Sequence, residues 1–234
     1  MDDGNLEVGT PVELAARFAA RVASIAREAV AARGRFTVAI TGGSLADAFL
    51  PALATVPMPW PVTDVFWTDE RCVPPDAPDS NYGQARRLLF GSGLAATARL
   101  HRILAERPEA EATAGAEAAL IEVAGPLGRL DLILLGVGED GHVCSLFPGH
   151  AAVAEAVRLM VAIADSPKPP LRRITMTMRV LAAADQLWVG AFGAGKAEVI
   201  RAARMDPTDQ RPVAQAARGH RRVTWWLDQA TASR

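Results

Sequence analysis

A short apolar run, Phe36-Thr37-Val38-Ala39-Ile40, is followed at once by a glycine turn, Thr41-Gly42-Gly43-Ser44. The apolar run is typical of a buried β-strand, and the two glycines end it. A helical pattern then resumes from Leu45 to Leu50, and we expect it to stop before Pro51. A strand, a turn and a helix in this order are the start of a unit that normally belongs to a parallel sheet.

The same alternation extends outward from this stretch in both directions. Upstream, Pro11 to Arg33 has the apolar spacing of an amphipathic helix, and Gly34 ends it. Downstream, we predict strands at about 64–67, 130–135, 159–164, 187–192 and 223–227, a short extended stretch at 174–177, and helices at about 82–90, 109–123 and 196–204. The sequence therefore predicts an α/β fold: a three-layer α/β/α, Rossmann-like domain with a mostly parallel sheet, formed by residues 1–234 as a single domain.

Length and charge restrict the classes of function. The chain has 234 residues, a net charge of −1 and 50% hydrophobic residues, which is ordinary for a globular protein. We expect no nucleic-acid partner and no membrane partner, because there is no global positive charge and no apolar run of the ~18–20 residues that a span needs. With only two cysteines, Cys72 and Cys144, we expect a reduced cytoplasmic protein. No motif in the sequence determines its oligomeric state, which stays open between a monomer and a weak homo-oligomer.

Four segments with polar or glycine residues follow predicted strands. They are Thr41–Ser44, Thr68–Arg71, Gly136–Ser145 and Gly193–Lys196. Since ligands of open α/β sheets bind beyond the carboxyl ends of the strands, we expect these segments to meet at one site.

Some of these residues suit a phosphate group. The turn Gly42-Gly43-Ser44 allows a close backbone approach at a helix N-terminus, although a tight connection alone would need the same glycines. Lys196 starts a helix, where its charge opposes the helix dipole unless an anion lies between them. Arg173 can bind phosphate in a bidentate manner, but a surface role is an equally good interpretation.

Residues Gly136 to Gly141 match the pattern GxGxxG, which suggests a dinucleotide site. We reject that interpretation because Glu139 and Asp140 would place two carboxylates against the pyrophosphate. The turn makes better sense as a frame for His142, a general base at neutral pH, with Asp140 orienting the ring. The other histidines, His101, His150 and His220, are interpreted as structural.

Two further groups of residues have more than one interpretation. Asp69 and Arg71 could line a ligand site or form an ion-pair cluster in solvent. A Cys144–His142 nucleophilic pair is disfavoured, because residues two positions apart do not face each other on a helix. We nevertheless expect alkylation of Cys72 or Cys144 to slow the protein, since both follow candidate site segments.

Taken together, the motifs resemble the 6-phosphogluconolactonase family, within a superfamily that includes glucosamine-6-phosphate isomerase/deaminase. The matching residues are Thr41–Ser44, Thr68–Pro74 with Ser80-Asn81-Tyr82, Gly136–His142 with Ser145–Gly149, Arg173–Thr175 and Gly195–Ala197. They occur in the family's order, and the block from Asp140 to Gly149 is the most specific. The chain departs from the family's usual pattern at Thr41, Leu45, Ala46, Val143 and Cys144.

The resemblance implies hydrolysis of a small-molecule sugar-phosphate lactone, 6-phosphogluconolactone, without a metal or an organic cofactor. It implies that His142 is the general base and that Asp69 and Arg71 line the sugar side. The residues that it implies for the phosphate are Gly42, Gly43, Ser44, Arg173 and Lys196.

Two other functions are weighed against this one. The isomerase/deaminase carries an acid at the position of Phe147, and without that carboxylate its proton relay is incomplete. A non-enzymatic sugar-phosphate sensor is disfavoured, because such regulators need a DNA-binding module and the chain shows no basic patch.

Overall fold

The computed structural model describes residues 5–233. The strands are β1 (Leu6–Gly9), β2 (Phe36–Ile40), β3 (Thr63–Trp67), β4 (Asp69–Arg71), β5 (Arg99–His101), β6 (Leu132–Gly136), β7 (Met160–Ile163), β8 (Arg173–Met176), β9 (Leu187–Ala191) and β10 (Val223–Asp228). The helices are α1 (Pro11–Arg33), α2 (Ser44–Leu53), α3 (Asn81–Ala85), α4 (Glu109–Ala124), α5 (Met178–Ala183), α6 (Ala197–Met205), α7 (Pro212–Arg218) and α8 (Gln229–Ala232). Within residues 5–233, none of these helices is both long and apolar enough to cross a membrane.

Seven strands form one sheet in the order β1-β10-β9-β6-β2-β3-β5, and every neighbouring pair is parallel. The chain runs outward from β2 to β3 and β5, then returns to the other side of β2 with β6 and continues to β9 and β10. The sheet with its flanking helices confirms the predicted three-layer α/β/α fold. A reversal of strand order between β2 and β6 opens a crevice at their carboxyl ends, which is where ligands of such sheets bind.

A second sheet of three antiparallel strands, β4-β8-β7, was not predicted. The apolar runs at 159–164 and 174–177 belong to this second sheet. The sequence pattern could not assign them to it, because a short apolar run looks the same in either sheet. Thr68 joins the two sheets: its N–H donates to Ile40 O (2.9 Å) and its carbonyl accepts from Met176 N (2.8 Å). The small sheet therefore stands above the carboxyl end of β3.

Several predicted boundaries were wrong in detail. Helix α2 continues past Pro51 to Leu53, because a proline in the last turn removes only one hydrogen bond of the helix. The predicted helix at 82–90 is α3 followed by a π-helical turn, Arg86–Phe90. Strands β1, β4 and β5 have only three or four residues, which is too short for a periodic signal.

The core beneath the sheet is built on aromatic rings from α1 and α2. Phe18 stacks on Phe49 at 4.2 Å between centroids, and it meets the rings of Trp188 and Trp226 edge-on at 5.6 and 5.8 Å. All four side chains are almost completely buried. This cluster fixes both helices against β9 and β10, and so it fixes the turn that precedes α2.

Replacing Phe18 with alanine should lower the free energy of unfolding by about 3–5 kcal/mol, because it leaves a cavity among three aromatic rings. Val12 lies on the same helix and is 80% exposed, so Val12→Ala should change it by less than about 0.5 kcal/mol. Chemical denaturation of both variants measures the difference. Equal effects at the two positions would contradict the packing described above.

Candidate active site

The four segments predicted to meet do line one cleft, of about 150 Å³, at the carboxyl edge of the parallel sheet. The expected site residues along it are Gly42, Gly43, Ser44, Asp69, Arg71, His142, Arg173 and Lys196. Asp140 is the exception, since it hydrogen-bonds the ring of His142 beside the cleft. The strand order thus brings together residues more than 150 positions apart in sequence.

A larger groove of about 620 Å³ lies at the opposite, amino-terminal edge of the sheet. Two of its arginines are already paired, Arg33 with Asp131 and Arg129 with Asp185. Among the described residues that line this groove, the one histidine, His220, has both ring nitrogens occupied, by Ala184 O and by the backbone N–H of Arg222. Size alone therefore does not identify the reactive site.

His142 and Asp140 form a hydrogen-bonded pair. The imidazole Nδ1 lies 2.5 Å from Asp140 Oδ1, and an ionised carboxylate can only accept, so Nδ1 carries the proton. The lone pair of Nε2 is then available to take a proton from a ligand or from water. A carboxylate therefore sets the orientation of the imidazole and leaves its second ring nitrogen able to accept a proton.

The pKa values of both partners support this protonation state. Burial lowers the pKa of His142; the Asp140 carboxylate opposes this, and the charge of Lys168 adds to it, so the net pKa lies below the ordinary value of 6.5. Burial raises the pKa of Asp140, but the hydrogen bond and charge of His142 outweigh it, and the net pKa is lowered. At neutral pH the pair is therefore a neutral imidazole beside an ionised carboxylate.

Two glycines of the GxGxxG pattern, Gly138 and Gly141, shape the turn that carries this histidine. A Cβ on Gly138 would lie 2.1 Å from His142 Cε1, so only glycine lets the ring fold back over the turn. Gly141 has a φ of +83°, and its N–H donates to Gly138 O (2.9 Å). The backbone N–H of Gly138 donates to His142 O (3.0 Å), which closes the turn.

The turn before α2 differs from expectation in one donor. The N–H of Gly43 is already engaged, because it donates to Gln84 Oε1 (2.8 Å), and Gln84 also donates to Gly43 O and Asp47. Within residues 5–233 no side chain caps this helix, so the N–H groups of Ser44 and Leu45 remain for an anion. Sequence reasoning missed Gln84 because it comes from α3, which is distant in the chain.

Lys196 is held in the cleft by a second glycine turn. The N–H of Gly193 donates to Asp228 Oδ2 (2.9 Å), and Thr231 Oγ1 donates to Gly193 O (3.1 Å). Burial lowers the pKa of Lys196, and the carboxylates of Glu139 and Asp228 oppose the effect. Glu139 thus faces a cation rather than a pyrophosphate. Asp228 also supports the site, although no sequence pattern indicated this role.

Asp69 lies at the centre of a buried polar network. It is 3% exposed, and its Oδ2 accepts from Ser145 Oγ at 2.7 Å. Arg71 and Arg173 are opposite each other in the register of β4 and β8. Asp69 and Arg71 are therefore parts of the cleft wall and not of a solvent-exposed ion-pair cluster.

Arg173 is largely engaged with the protein itself. Its Nε donates to Pro170 O (3.0 Å) and its Nη2 to the carbonyls of Lys168 (3.0 Å) and Pro169 (3.2 Å). Burial, followed by the charge of Arg71, lowers its pKa. Arg173 holds the loop 165–172 against the cleft, and Nη1, which lies 3.4 Å from Ser145 Oγ, is the group left to reach a ligand.

Glu70 organises the segment that covers one side of the cleft. It accepts hydrogen bonds from the backbone N–H groups of Arg71, Asn81 and Tyr82, each at 2.8 Å, and from Ser80 Oγ at 3.1 Å. Burial raises its pKa, and these backbone donors oppose the effect. The adjacent Asn81 donates to the backbone carbonyl of Asp69. Both residues shape the cleft, although the sequence alone indicated neither role.

Neither cysteine has the properties of a reactive thiol. Burial raises the pKa of Cys144 well above its ordinary value, and it also raises the pKa of Cys72. A protonated thiol is a poor nucleophile, so we expect alkylation of either cysteine to be slow, and its effect on the protein stays a prediction. Cys144 lies on the cleft wall and, among the residues that the structure describes, is the only non-glycine with a positive φ (53°).

Phe147 packs against the ring of His142. Its ring centroid lies 4.7 Å from that of His142, and the Arg173 guanidinium lies 5.5 Å from it on another side. The side chain is 2% exposed, so this wall of the histidine is apolar and dry. A paired proton relay would need a second acid beside His142, and that position is occupied by the phenyl ring of Phe147.

Known proteins resemble this chain over most of its length. Residues 9–225 match the family model described as "Glucosamine-6-phosphate isomerases/6-phosphogluconolactonase". A 6-phosphogluconolactonase of Streptomyces coelicolor is 36% identical over 92% of this chain and 88% of its own length, and one of Rattus norvegicus is 36% identical over 95% and 90%. The solved structure of 6-phosphogluconolactonase from Trypanosoma brucei superposes with a TM-score of 0.85 at 27% identity, covering 98% of this chain and 97% of that one.

The titration of His142 tests the charge arrangement without any ligand. Its midpoint should lie below 6.5, because burial disfavours the imidazolium. Asp140→Asn should lower the midpoint further, because it removes the negative charge that stabilises the protonated ring. Histidine NMR signals followed against pH, assigned with His142→Asn, measure both values. A midpoint above 6.5, or a rise in Asp140→Asn, would contradict the arrangement.

Proposed function

Since this chain belongs to the glucosamine-6-phosphate isomerase/6-phosphogluconolactonase family, we propose that it hydrolyses 6-phospho-D-glucono-1,5-lactone to 6-phospho-D-gluconate. The observation that carries the proposal is the neutral His142, oriented by Asp140, in a cleft that also offers a helix N-terminus and Lys196. This reaction belongs to the oxidative branch of the pentose phosphate pathway. We propose a cytoplasmic location on the basis of the free cysteines.

The mechanism uses the chain's own residues. His142 Nε2 takes a proton from a water molecule as the water oxygen bonds to the lactone carbonyl carbon. The resulting imidazolium is stabilised by Asp140 across the 2.5 Å hydrogen bond. When the bond between the carbonyl carbon and the ring oxygen breaks, the imidazolium returns its proton to that oxygen, which becomes a hydroxyl group. One water is consumed, and the histidine is restored.

The phosphate end of the substrate supplies orientation. We assign it to the turn Gly42-Gly43-Ser44 at the N-terminus of α2, where the N–H of Gly43 is held by Gln84 and the N–H groups of Ser44 and Leu45 face the anion. Lys196 and Arg173 Nη1 are further donors. A half-buried ammonium and free helix N–H groups favour a dianion in this place. Binding energy from the phosphate then places the carbonyl near His142.

The opposite wall of the cleft suits the sugar hydroxyl groups. Asp69 is an acceptor already fixed by Ser145, and Arg71 is anchored by Nη1 on Asp79 O at 2.8 Å. Both are rigid polar groups, as recognition of a hydroxylated ring requires. We assign them to the sugar side.

Phe147 favours hydrolysis over amino-sugar isomerisation. Ring opening and deamination require a second acid near the histidine, and here the neighbouring side chain is a buried phenyl ring. A hydrolase needs only the base and the water. A glucosamine-6-phosphate isomerase/deaminase is therefore the alternative that the site supports less well.

The first test is the rate of 6-phosphogluconolactone hydrolysis, corrected for spontaneous opening of the lactone. His142→Ala should lose at least about 100-fold in kcat, the usual contribution of a general base, and His220→Gln should keep its rate. A wild type no faster than the spontaneous reaction would overturn the proposal. Robust conversion of glucosamine-6-phosphate to fructose-6-phosphate would favour the alternative.

Gly138→Ala should be nearly as damaging, because its Cβ would lie 2.1 Å from the ring of His142 and must push it out of position. We expect a loss of at least about tenfold in kcat, since small displacements of a catalytic group cost one to two orders of magnitude. Gly115→Ala, in α4 with open space around it, is the matched control and should keep full activity. Full activity of Gly138→Ala would show that the observed ring position is not the reactive one.

A further inference from the structure

The carboxylate of Asp140 has a second partner besides His142. Its Oδ2 lies 3.3 Å from the Nζ of Lys168, and its Oδ1 binds the imidazole. Lys168 is one of only two lysines in the chain, and the other, Lys196, is already assigned to the phosphate. The two oxygens of one carboxylate therefore connect a cation to the general base.

Lys168 comes from a loop that is rigidly held. Ser166 Oγ donates to Lys168 O (2.8 Å), and Lys168 N–H donates back to Ser166 Oγ (3.3 Å). Arg173 donates to the same carbonyl from the other side, and Ser166 N–H donates to Leu171 O (3.0 Å). The backbone of Lys168 is thus fixed on both sides, although its side chain is 47% exposed. A lysine on a mobile loop would not keep such a geometry.

We propose that Lys168 is a positioning residue for the Asp140–His142 pair: it fixes the second carboxylate oxygen and keeps the imidazole in its neutral, proton-accepting form. The catalytic part of this inference rests on the proposed function. In this role Lys168 affects the reaction through the Asp140–His142 pair, by its contact with Asp140 and by its charge beside the imidazole.

The surrounding charges give the sign of the effect. Asp140, on the same turn, and Asp69, on β4, favour the imidazolium, whereas Lys168 disfavours it. Two other side chains lie close to the histidine turn. Arg211, from the segment before α7, packs on Gly141, but its charge is paired with Asp209. Phe147, against the ring of His142, carries no charge. Removing the charge of Lys168 therefore stabilises the protonated ring and moves its titration to higher pH.

The test compares Lys168→Met and Lys168→Gln with Lys168→Arg, which keeps the charge. Arg172→Met is the matched control, because it removes a cation from the same loop that pairs with Glu109 on the outer surface. The NMR titration of His142 should move to higher pH in Lys168→Met and Lys168→Gln only. The acid limb of kcat/KM should move with it, so that these variants lose a further two- to fivefold, roughly, at low pH and recover at high pH.

A His142 midpoint that is unchanged in both charge-removing variants, or shifted equally in Arg172→Met, would overturn the proposal. A uniform loss of rate without a displaced acid limb would do the same, because it would indicate a structural or substrate-binding role. The titration needs no turnover. A wild type that fails to hydrolyse the lactone would therefore overturn the proposed function and leave the coupling between Lys168 and His142 measurable.

Discussion

The hydrogen bond between Asp140 and His142 is the interaction on which the site depends. It joins residues only two positions apart, and so the chain must reverse within one short turn. That reversal requires a positive φ at Gly141 and the absence of a side chain at Gly138, where a Cβ would collide with the imidazole. The two glycines are therefore a steric consequence of the histidine's position rather than a phosphate-binding pattern.

Burial in the cleft makes every charge dependent on a partner. Lys196 faces Glu139 and Asp228, Asp69 accepts from Ser145, and the guanidinium of Arg173 is bound by loop carbonyls. An unpaired charge in such surroundings would be strongly unfavourable, and these partners leave each group in a fixed position. The site is thus arranged before a ligand arrives, which reduces the cost of reorganisation during the reaction.

The small antiparallel sheet extends what a parallel sheet alone can offer. Thr68 hydrogen-bonds both sheets, and immediately after it β4 carries Asp69 and Arg71 above the carboxyl edge. Strand β8 brings Arg173 opposite Arg71. One wall of the cleft therefore comes from the ends of parallel strands and the other from a separate, rigid sheet. The aromatic ring of Phe147 against His142 then distinguishes this site from one with a second acid.

The sequence by itself determined the elements and the chemistry that are local in the chain. Helix α1, strand β2, the glycine turn before α2 and the His142 turn are each encoded in one continuous stretch of the chain, where periodicity and glycine placement are informative. Only the tertiary structure decided that 160–163 and 173–176 form a separate antiparallel sheet, that Gln84 occupies the N–H of Gly43, and that Lys168 reaches Asp140. These contacts join residues far apart in sequence, and such pairings depend on strand order and burial, which no local pattern specifies.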